Sequence, residues 1–216
     1  MGQSGAAVID GAKRSGYSQS MDGRTEKILL ERARGGDGVG FEELVRAHTA
    51  KAISLAYRLV GHRDEAEDIA QEAFLRLYRS LPNFRGESTV ATWLYRTVSH
   101  LAIDHLRREQ LRRKIFFLRR NTGDDEMDVD PMEVVPDPGG SPRDLFLAKE
   151  AGRRLSRALD KLSPRQRAVF VLRHQEELPL KEIAKVLGLE EGTVKVHLHR
   201  AVSMLRKELK DLNEVT

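Results

Sequence analysis

Cysteine is absent from this chain of 216 residues, and aromatic residues make up only 6% of it. Without a thiol, the chain cannot form a disulfide, a thiolate zinc site or a cysteine nucleophile. No stretch is long and apolar enough to cross a membrane, and we expect no signal peptide because the first residues lack an apolar core. These absences exclude thiol catalysis and thiol redox sensing, and they are typical of a cytoplasmic protein.

Charge is abundant and divides the chain into three parts. Lys and Arg total 37 against 33 Asp and Glu, a net charge of +4. Residues 1–120 carry 21 basic and 15 acidic groups. Residues 121–144 carry one basic and eight acidic groups, and residues 145–216 carry 15 basic and ten acidic groups. The acidic middle part also holds four of the seven prolines. This composition predicts a linker of about 25 residues between two basic domains, which suit an anionic partner.

Both basic domains show the hydrophobic spacing of helices, and neither contains a convincing strand. Ser163 followed by Pro164 is typical of a helix start, and Ser88 or Thr89 is expected to cap another helix. Pro82 is expected to follow the end of a helix. We therefore predict an all-α fold, with two small helical domains joined by a flexible acidic linker.

The segment from Thr193 to His199 alternates apolar and polar residues like a strand, but the longer pattern favours a helix. Apolar residues recur at intervals of three and four, which places them on one side of a helix. They are Val194, Leu198, Ala201, Val202, Leu205 and Leu209. The opposite face is basic. His197 and His199 point in different directions on such a helix, so they cannot hold one metal ion together.

A short amphipathic segment, residues 179–187, precedes this helix, and Gly188 lies between the two. Helix, glycine turn and basic helix is the arrangement of a helix-turn-helix, whose second helix enters the major groove of DNA. The same periodicity is also compatible with an ordinary helical hairpin.

Two long segments resemble a known family. Residues 162–209, LSPRQRAVFVLRHQEELPLKEIAKVLGLEEGTVKVHLHRAVSMLRKEL, are similar to the C-terminal domain of bacterial sigma factors of the extracytoplasmic function (ECF) group. Residues 64–108, beginning DEAEDIAQEAF, are similar to their N-terminal, promoter-melting domain. Two positions depart from the family pattern: Glu190 stands where a Ser cap is common, and Val196 stands where Ser or Thr is common. The second change suits a thymine methyl group.

The resemblance implies a promoter-specificity subunit that binds core RNA polymerase, reads the −35 element and melts and reads the −10 element. A Gly/Ser-rich composition predicts a disordered tail at 1–24, and charge and proline content predict the linker, given as 116–144. The resemblance implies a polymerase-binding and −10 domain at 25–115 and a −35 domain at 145–212. A linker of 25 residues reaches roughly 80 Å. Two turns of DNA measure about 70 Å, so one chain can contact both elements.

The predicted contact residues form three sets. For the −35 element they are Thr193, Lys195, Val196, His197, His199, Arg200 and Ser203. For the −10 element they are Asn83, Phe84, Arg85, Ser88, Thr89, Thr92, Arg96, His100 and Arg107. For RNA polymerase they are Asp68, Gln71 and Glu72. On the helical wheel, Ser99 and Ile103 lie on the same polar stripe as the −10 set. Trp93 is expected in the core, whereas Phe84 suits either the core or a stacked base.

The expected partners are core RNA polymerase, promoter DNA and an anti-sigma factor, with no cofactor, metal ion or small-molecule substrate. The protein is expected in the cytoplasm, or held at the inner membrane by the anti-sigma factor. One alternative is a stand-alone helix-turn-helix regulator of the response-regulator output type, which would bind duplex DNA without polymerase. An enzyme acting on nucleic acid is a second alternative, but the sequence has no P-loop, zinc ligand set or cluster of carboxylates.

Overall fold

The structure, a computed structural model, describes residues 22–84, 88–119 and 142–210 of the chain. Within these ranges the regular elements are helices and no strand occurs, which confirms the predicted all-α class. A 3-10 turn, Leu81–Asn83, follows the third helix. The α-helices are α1 (Gly23–Arg34), α2 (Gly38–Val60), α3 (Arg63–Ser80), α4 (Val90–Arg119), α5 (Pro142–Asp160), α6 (Pro164–His174), α7 (Leu180–Leu187) and α8 (Glu191–Glu208).

The N-terminal domain consists of α1 to α4, and α2 packs against the other three helices. Leu44 and Leu59 on α2, Leu77 on α3 and Val98 on α4 are fully buried between them. The helices α1 and α2 approach closely at Gly40, where an added Cβ atom would lie 2.9 Å from the Cβ of Arg32. This contact explains why a residue without a side chain stands there.

The C-terminal domain consists of α5 to α8. The predicted helix start at Ser163 is confirmed, because the Ser163 side chain accepts from the Gln166 N–H while the Gln166 side chain accepts from the Ser163 N–H. Such a reciprocal cap satisfies two backbone donors at once. Leu159 on α5 and Leu205 on α8 pack in one apolar cluster, which anchors α8 at its C-terminal half.

The predicted helix-turn-helix is formed by α7 and α8. Helix α7 ends at Gly188, which adopts the left-handed conformation with φ of 63°. The N–H groups of Gly188 and Leu189 both bond to the carbonyl of Ala184, which closes the helix and redirects the chain. The sequence therefore identified the residue at which the chain turns, and it did so because glycine enters this conformation without strain.

The two domains pack against each other, which the sequence analysis did not predict. Helix α4 contacts α6 and α7, and α2 contacts α6. Between the domains, the buried carboxylate of Glu176 forms an ion pair with Arg58 and accepts a hydrogen bond from the Tyr95 hydroxyl at 2.8 Å. Burial, followed by the bond to Glu176, raises the pKa of Tyr95, so the hydroxyl keeps the proton that it donates.

Parts of the predicted linker and tail lie outside the described residues, at 120–141 and 1–21. Helix α4 continues to Arg119, beyond the predicted domain end at 115, and α5 begins at Pro142, before the predicted start at 145. Helix therefore occupies both ends of the predicted linker. None of the helices in the described ranges is long and apolar enough to cross a membrane.

Candidate nucleic-acid and protein interfaces

Helix α8 has one exposed face and one apolar face, which is buried at three positions and half-buried at Leu198, Val202 and Leu209. Val194, Ala201 and Leu205 are buried, as the periodicity predicted. Glu190 occupies the N-cap position and makes no side-chain hydrogen bond to the helix, which agrees with the expected weakness of a glutamate there. The Glu190 side chain thus leaves the backbone N–H groups of the first turn uncapped.

The exposed face of α8 carries six of the seven residues predicted to contact the −35 element. They are Thr193, Lys195, Val196, His199, Arg200 and Ser203. Val196 exposes 48% of its surface, which is high for a β-branched apolar residue on a helix. Lys195 forms an exposed ion pair with Glu191 at 2.9 Å. Since exposed pairs of this kind contribute little to stability, Lys195 is available to exchange this partner for a phosphate.

His197 differs from the other six because it is only partly exposed. Its Nδ1 atom is buried and has no hydrogen-bond partner. Burial, followed by the charges of Arg165 and Arg200, lowers the pKa of His197, so the ring is held in its neutral form near pH 7. A neutral ring adds no charge to a phosphate-binding surface, and its contribution would therefore be a hydrogen bond at Nε2.

The N-terminus of α4 forms the second surface. Thr89 caps the helix, because its Oγ1 atom accepts from the Thr92 N–H at 3.1 Å, and it also lies 3.0 Å from the Thr92 hydroxyl. Thr89, Thr92 and Arg96 are all exposed and follow one another along the helix. A row of two hydroxyl groups and one guanidinium is suited to contacts with a phosphate backbone.

The other residues predicted for the −10 element lie in different surroundings. Arg107 and Asn83 are exposed, and Ser88 and His100 are half-buried. Phe84 is 7% exposed and belongs to the core, so in this structure its ring is not offered to a base. Arg85 lies outside the described residues.

Helix α4 also corrects the predicted polar stripe. Ser99 is fully buried and Ile103 is 5% exposed, although the helical wheel placed both beside the −10 residues. The reason is that α4 packs against four helices, α2, α3, α6 and α7, so more of its surface is covered than a wheel with a single buried face assumes. Trp93 is half-buried against the core, as expected.

The outer face of α3 forms the third surface. Asp68 and Gln71 are exposed and Glu72 is half-buried, while Ile69, Ala73 and Phe74 pack inward as predicted. Glu72 accepts a hydrogen bond from Arg76 at 2.7 Å, and this bond lowers the pKa of Glu72.

Two exposed hydrophobic residues extend this acidic face, and the sequence analysis missed them. Leu75 exposes 45% and Tyr78 exposes 57% of its surface. They follow Asp68 and Gln71 by seven residues, which places them on the same side of the helix two turns later. Tyr78 also contacts Phe41 on α2, with ring centroids 5.0 Å apart. The spacing of seven residues could have revealed Leu75 and Tyr78 in the sequence, because exposed apolar residues on the same helix face as predicted contacts indicate an interface.

Comparisons with known proteins match each domain separately. The family model described as Sigma-70 region 2 matches residues 44–112, and the one described as Sigma-70, region 4 matches residues 152–205. The ECF RNA polymerase sigma factor SigW of Bacillus subtilis is 34% identical over 86% of this chain and 97% of its own length. The chain belongs to the ECF family of sigma factors.

Further relatives and solved structures agree with this assignment. The ECF RNA polymerase sigma-E factor of Escherichia coli is 31% identical, over 87% of this chain and 96% of its own. CnrH, solved in complex with the cytosolic domain of CnrY, shares the fold with a TM-score of 0.56 at 21% identity, over 87% of this chain and 98% of its own. RpoE of Bartonella quintana, solved with the anti-sigma factor NepR, has a TM-score of 0.55 at 18% identity, over 79% of this chain and 96% of its own.

As a sigma factor, the protein directs transcription to promoters. The alternative of a stand-alone helix-turn-helix regulator is not favoured, because the region 2 match lies in the N-terminal half, where such a regulator has no counterpart. The region 4 match includes α7 and α8 down to Leu205, and the region 2 match includes α3 and most of α4. All three surfaces described above therefore lie within or next to matched segments.

Proposed function

We propose that this sigma factor joins core RNA polymerase through the outer face of α3, reads the −35 element with α8 and holds the −10 element with the first turns of α4. The observation that carries the proposal is the exposed face of α8. Six predicted contact residues share this face, whereas the apolar face packs against the protein. All six side chains are therefore accessible to one partner at the same time.

The side chains of α8 suit a division between phosphate and base contacts. Lys195 and Arg200 are exposed cations, which bind phosphate oxygens or the acceptor atoms of guanine. Val196 offers only methyl groups, and their natural partner in the major groove is the methyl group of thymine. Thr193 and Ser203 are exposed hydroxyl residues near the two ends of this face, and they suit hydrogen bonds to the DNA backbone.

The face of α3 suits a protein partner rather than DNA. Asp68 and Glu72 would repel phosphate, and they are followed along the helix by the exposed Leu75 and Tyr78. Apolar and aromatic side chains are typical of the centre of a protein interface, and neighbouring acidic side chains complement a basic partner. The partner we propose is a basic surface of core RNA polymerase.

The protein needs no catalytic chemistry of its own for this function, because the polymerase forms the phosphodiester bonds. We propose that it works in the cytoplasm, where the polymerase and the chromosome are found. We also propose that an anti-sigma factor holds it in an inactive state, either free or at the inner membrane. The solved complexes of CnrH with CnrY and of RpoE with NepR support this partner class.

Transcription reconstituted with core polymerase from the source organism tests the proposal. Run-off transcription on fragmented genomic DNA identifies the promoters, and the free protein is compared with the holoenzyme for binding to them. We expect strong binding and defined starts only in the presence of core polymerase. Tight binding by the free protein, with no starts when core is added, would instead support the stand-alone regulator.

Two substitutions test the −35 assignment within the same assay. Arg200→Ala and Lys195→Ala remove one cation each from the exposed face of α8, and each is expected to weaken promoter occupancy about 10-fold. Arg46→Ala is the control, because Arg46 is an exposed cation of α2, outside the helix-turn-helix, and its ion pair with Glu42 lies within one helix. Unchanged occupancy in both α8 variants would remove the recognition-helix assignment.

A further inference from the structure

Glu26 of α1 joins three helices through one buried carboxylate. Its Oε1 atom accepts a hydrogen bond from the Val90 N–H of α4 at 2.9 Å. Its Oε2 atom lies 3.2 Å from Nε2 of His48 on α2. The side chains of Glu26 and His48 are 14% and 10% exposed, so water has little access to either group.

The bond to Val90 gives a partner to the first N–H group of α4. The first N–H groups of a helix have no partner within the helix. In α4, the Thr89 hydroxyl oxygen accepts a hydrogen bond from one of them, the Thr92 N–H. Glu26 supplies another from 64 residues away in the sequence. A carboxylate at this end of a helix is favoured further by the helix dipole, and bonds between an ionised acceptor and an N–H are stronger than neutral ones.

We propose that Glu26 is a positioning residue for promoter opening, which it supports by fixing the first turn of α4 against α1 and α2. This inference rests on the proposed function of α4. The exposed Thr89, Thr92 and Arg96 lie on the first two turns of that helix, directly after the bond. A cap made only by Thr89 moves with the helix, whereas a bond to another helix also fixes the direction in which these three side chains point.

The effect is expected in strand opening more than in initial binding. Opening requires that the displaced bases be captured as they leave the duplex, and a capturing surface that is held in place loses less entropy in that step. Initial binding also uses α8, which belongs to the other domain. A loss of positioning should therefore slow opening and leave the first, closed complex nearly unchanged.

Glu26→Ala and Glu26→Gln separate positioning from a general loss of stability. The amide oxygen of glutamine can still accept from the Val90 N–H, whereas alanine cannot. Leu29→Val is the matched control, because Leu29 is a buried residue of the same helix and takes no part in the hydrogen bond between Glu26 and Val90. All are assayed as holoenzyme, at a temperature at which circular dichroism shows each variant to be folded.

Each holoenzyme is tested on one promoter in two forms, a full duplex and a template whose −10 region is opened by mismatches. We expect Glu26→Ala to slow open-complex formation about tenfold on the duplex, because one charge-assisted hydrogen bond is lost. On the opened template we expect the same variant to slow it less than about twofold. Glu26→Gln should recover most of the duplex activity. Leu29→Val should act equally on both templates.

Hydrogen exchange supplies a second measurement that does not depend on transcription. The Val90 amide should exchange faster in Glu26→Ala, while the amide of Val98, in the buried middle of α4, should be unchanged. Equal slowing on both templates, or glutamine as damaging as alanine, would overturn the inference. Absence of promoter-specific starts by the wild-type holoenzyme would instead reject the proposed function, so the two failures are distinguishable.

Discussion

Replacing Glu176 with alanine is expected to weaken the contact between the two domains of this sigma factor. The Glu176 side chain is 8% exposed and bonds across the domain boundary to Arg58 and to the Tyr95 hydroxyl. A hydrogen bond to a charged group contributes about 1.5–3 kcal/mol. Arg58 remains 20% exposed and can be hydrated after the loss, so the two bonds together should contribute about 2 kcal/mol, which corresponds to about 30-fold in the ratio of closed to open molecules.

The absence of cysteine makes the distance between the domains directly measurable. Arg46→Cys on α2 and Lys207→Cys on α8 place spin labels on two exposed positions, one in each domain, without any background label. We expect a single narrow distance distribution in the otherwise wild-type protein and an added population of other, longer distances after Glu176→Ala. The radius of gyration from X-ray scattering should rise in parallel.

Glu182→Ala is the matched control for this experiment. Glu182 is a glutamate of the same domain, and its ion pair with Lys185 stays within α7. A distance distribution that does not change with Glu176→Ala, or that changes equally with Glu182→Ala, would refute the role of Glu176 between the domains. A separation would matter for the proposed function, in which α8 and α4 each contact one promoter element, because elements two turns of DNA apart lie about 70 Å from each other.

Three further predictions concern stability. Gly40→Ala places a Cβ atom 2.9 Å from that of Arg32 and should lower the free energy of unfolding by about 1–3 kcal/mol, measured by urea denaturation. Ser163→Ala removes the cap of α6 and should cost about 1 kcal/mol in the same assay. Burial lowers the pKa of His48, so the unfolded chain binds more protons and stability should fall as the pH drops below the ordinary value of 6.5, less so in His48→Gln.

The sequence predicted the helices and turns that depend on neighbouring residues. The spacing of Val194, Ala201 and Leu205 identified the buried face of α8, because residues three and four apart share one side of a helix. Gly188 and Ser163 identified a turn and a helix start, because their conformational and hydrogen-bonding preferences act within a few residues. The family of the chain was also evident from sequence, since its two motifs occur in the expected order.

Tertiary structure decided which helix faces are covered by other helices and which distant residues contact one another. A helical wheel assumes one buried face, and it misplaced Ser99 and Ile103 because α4 is covered by helices on more than one side. The bonds from Glu26 to Val90 and from Glu176 to Tyr95 join residues that are 64 and 81 positions apart. Local periodicity determines which helices form, but no local pattern specifies which distant groups meet when those helices pack. This is why the bond from Glu26 to the start of α4 and the contact between the domains appeared only in the folded molecule, whereas the Thr89 cap was already expected from the sequence.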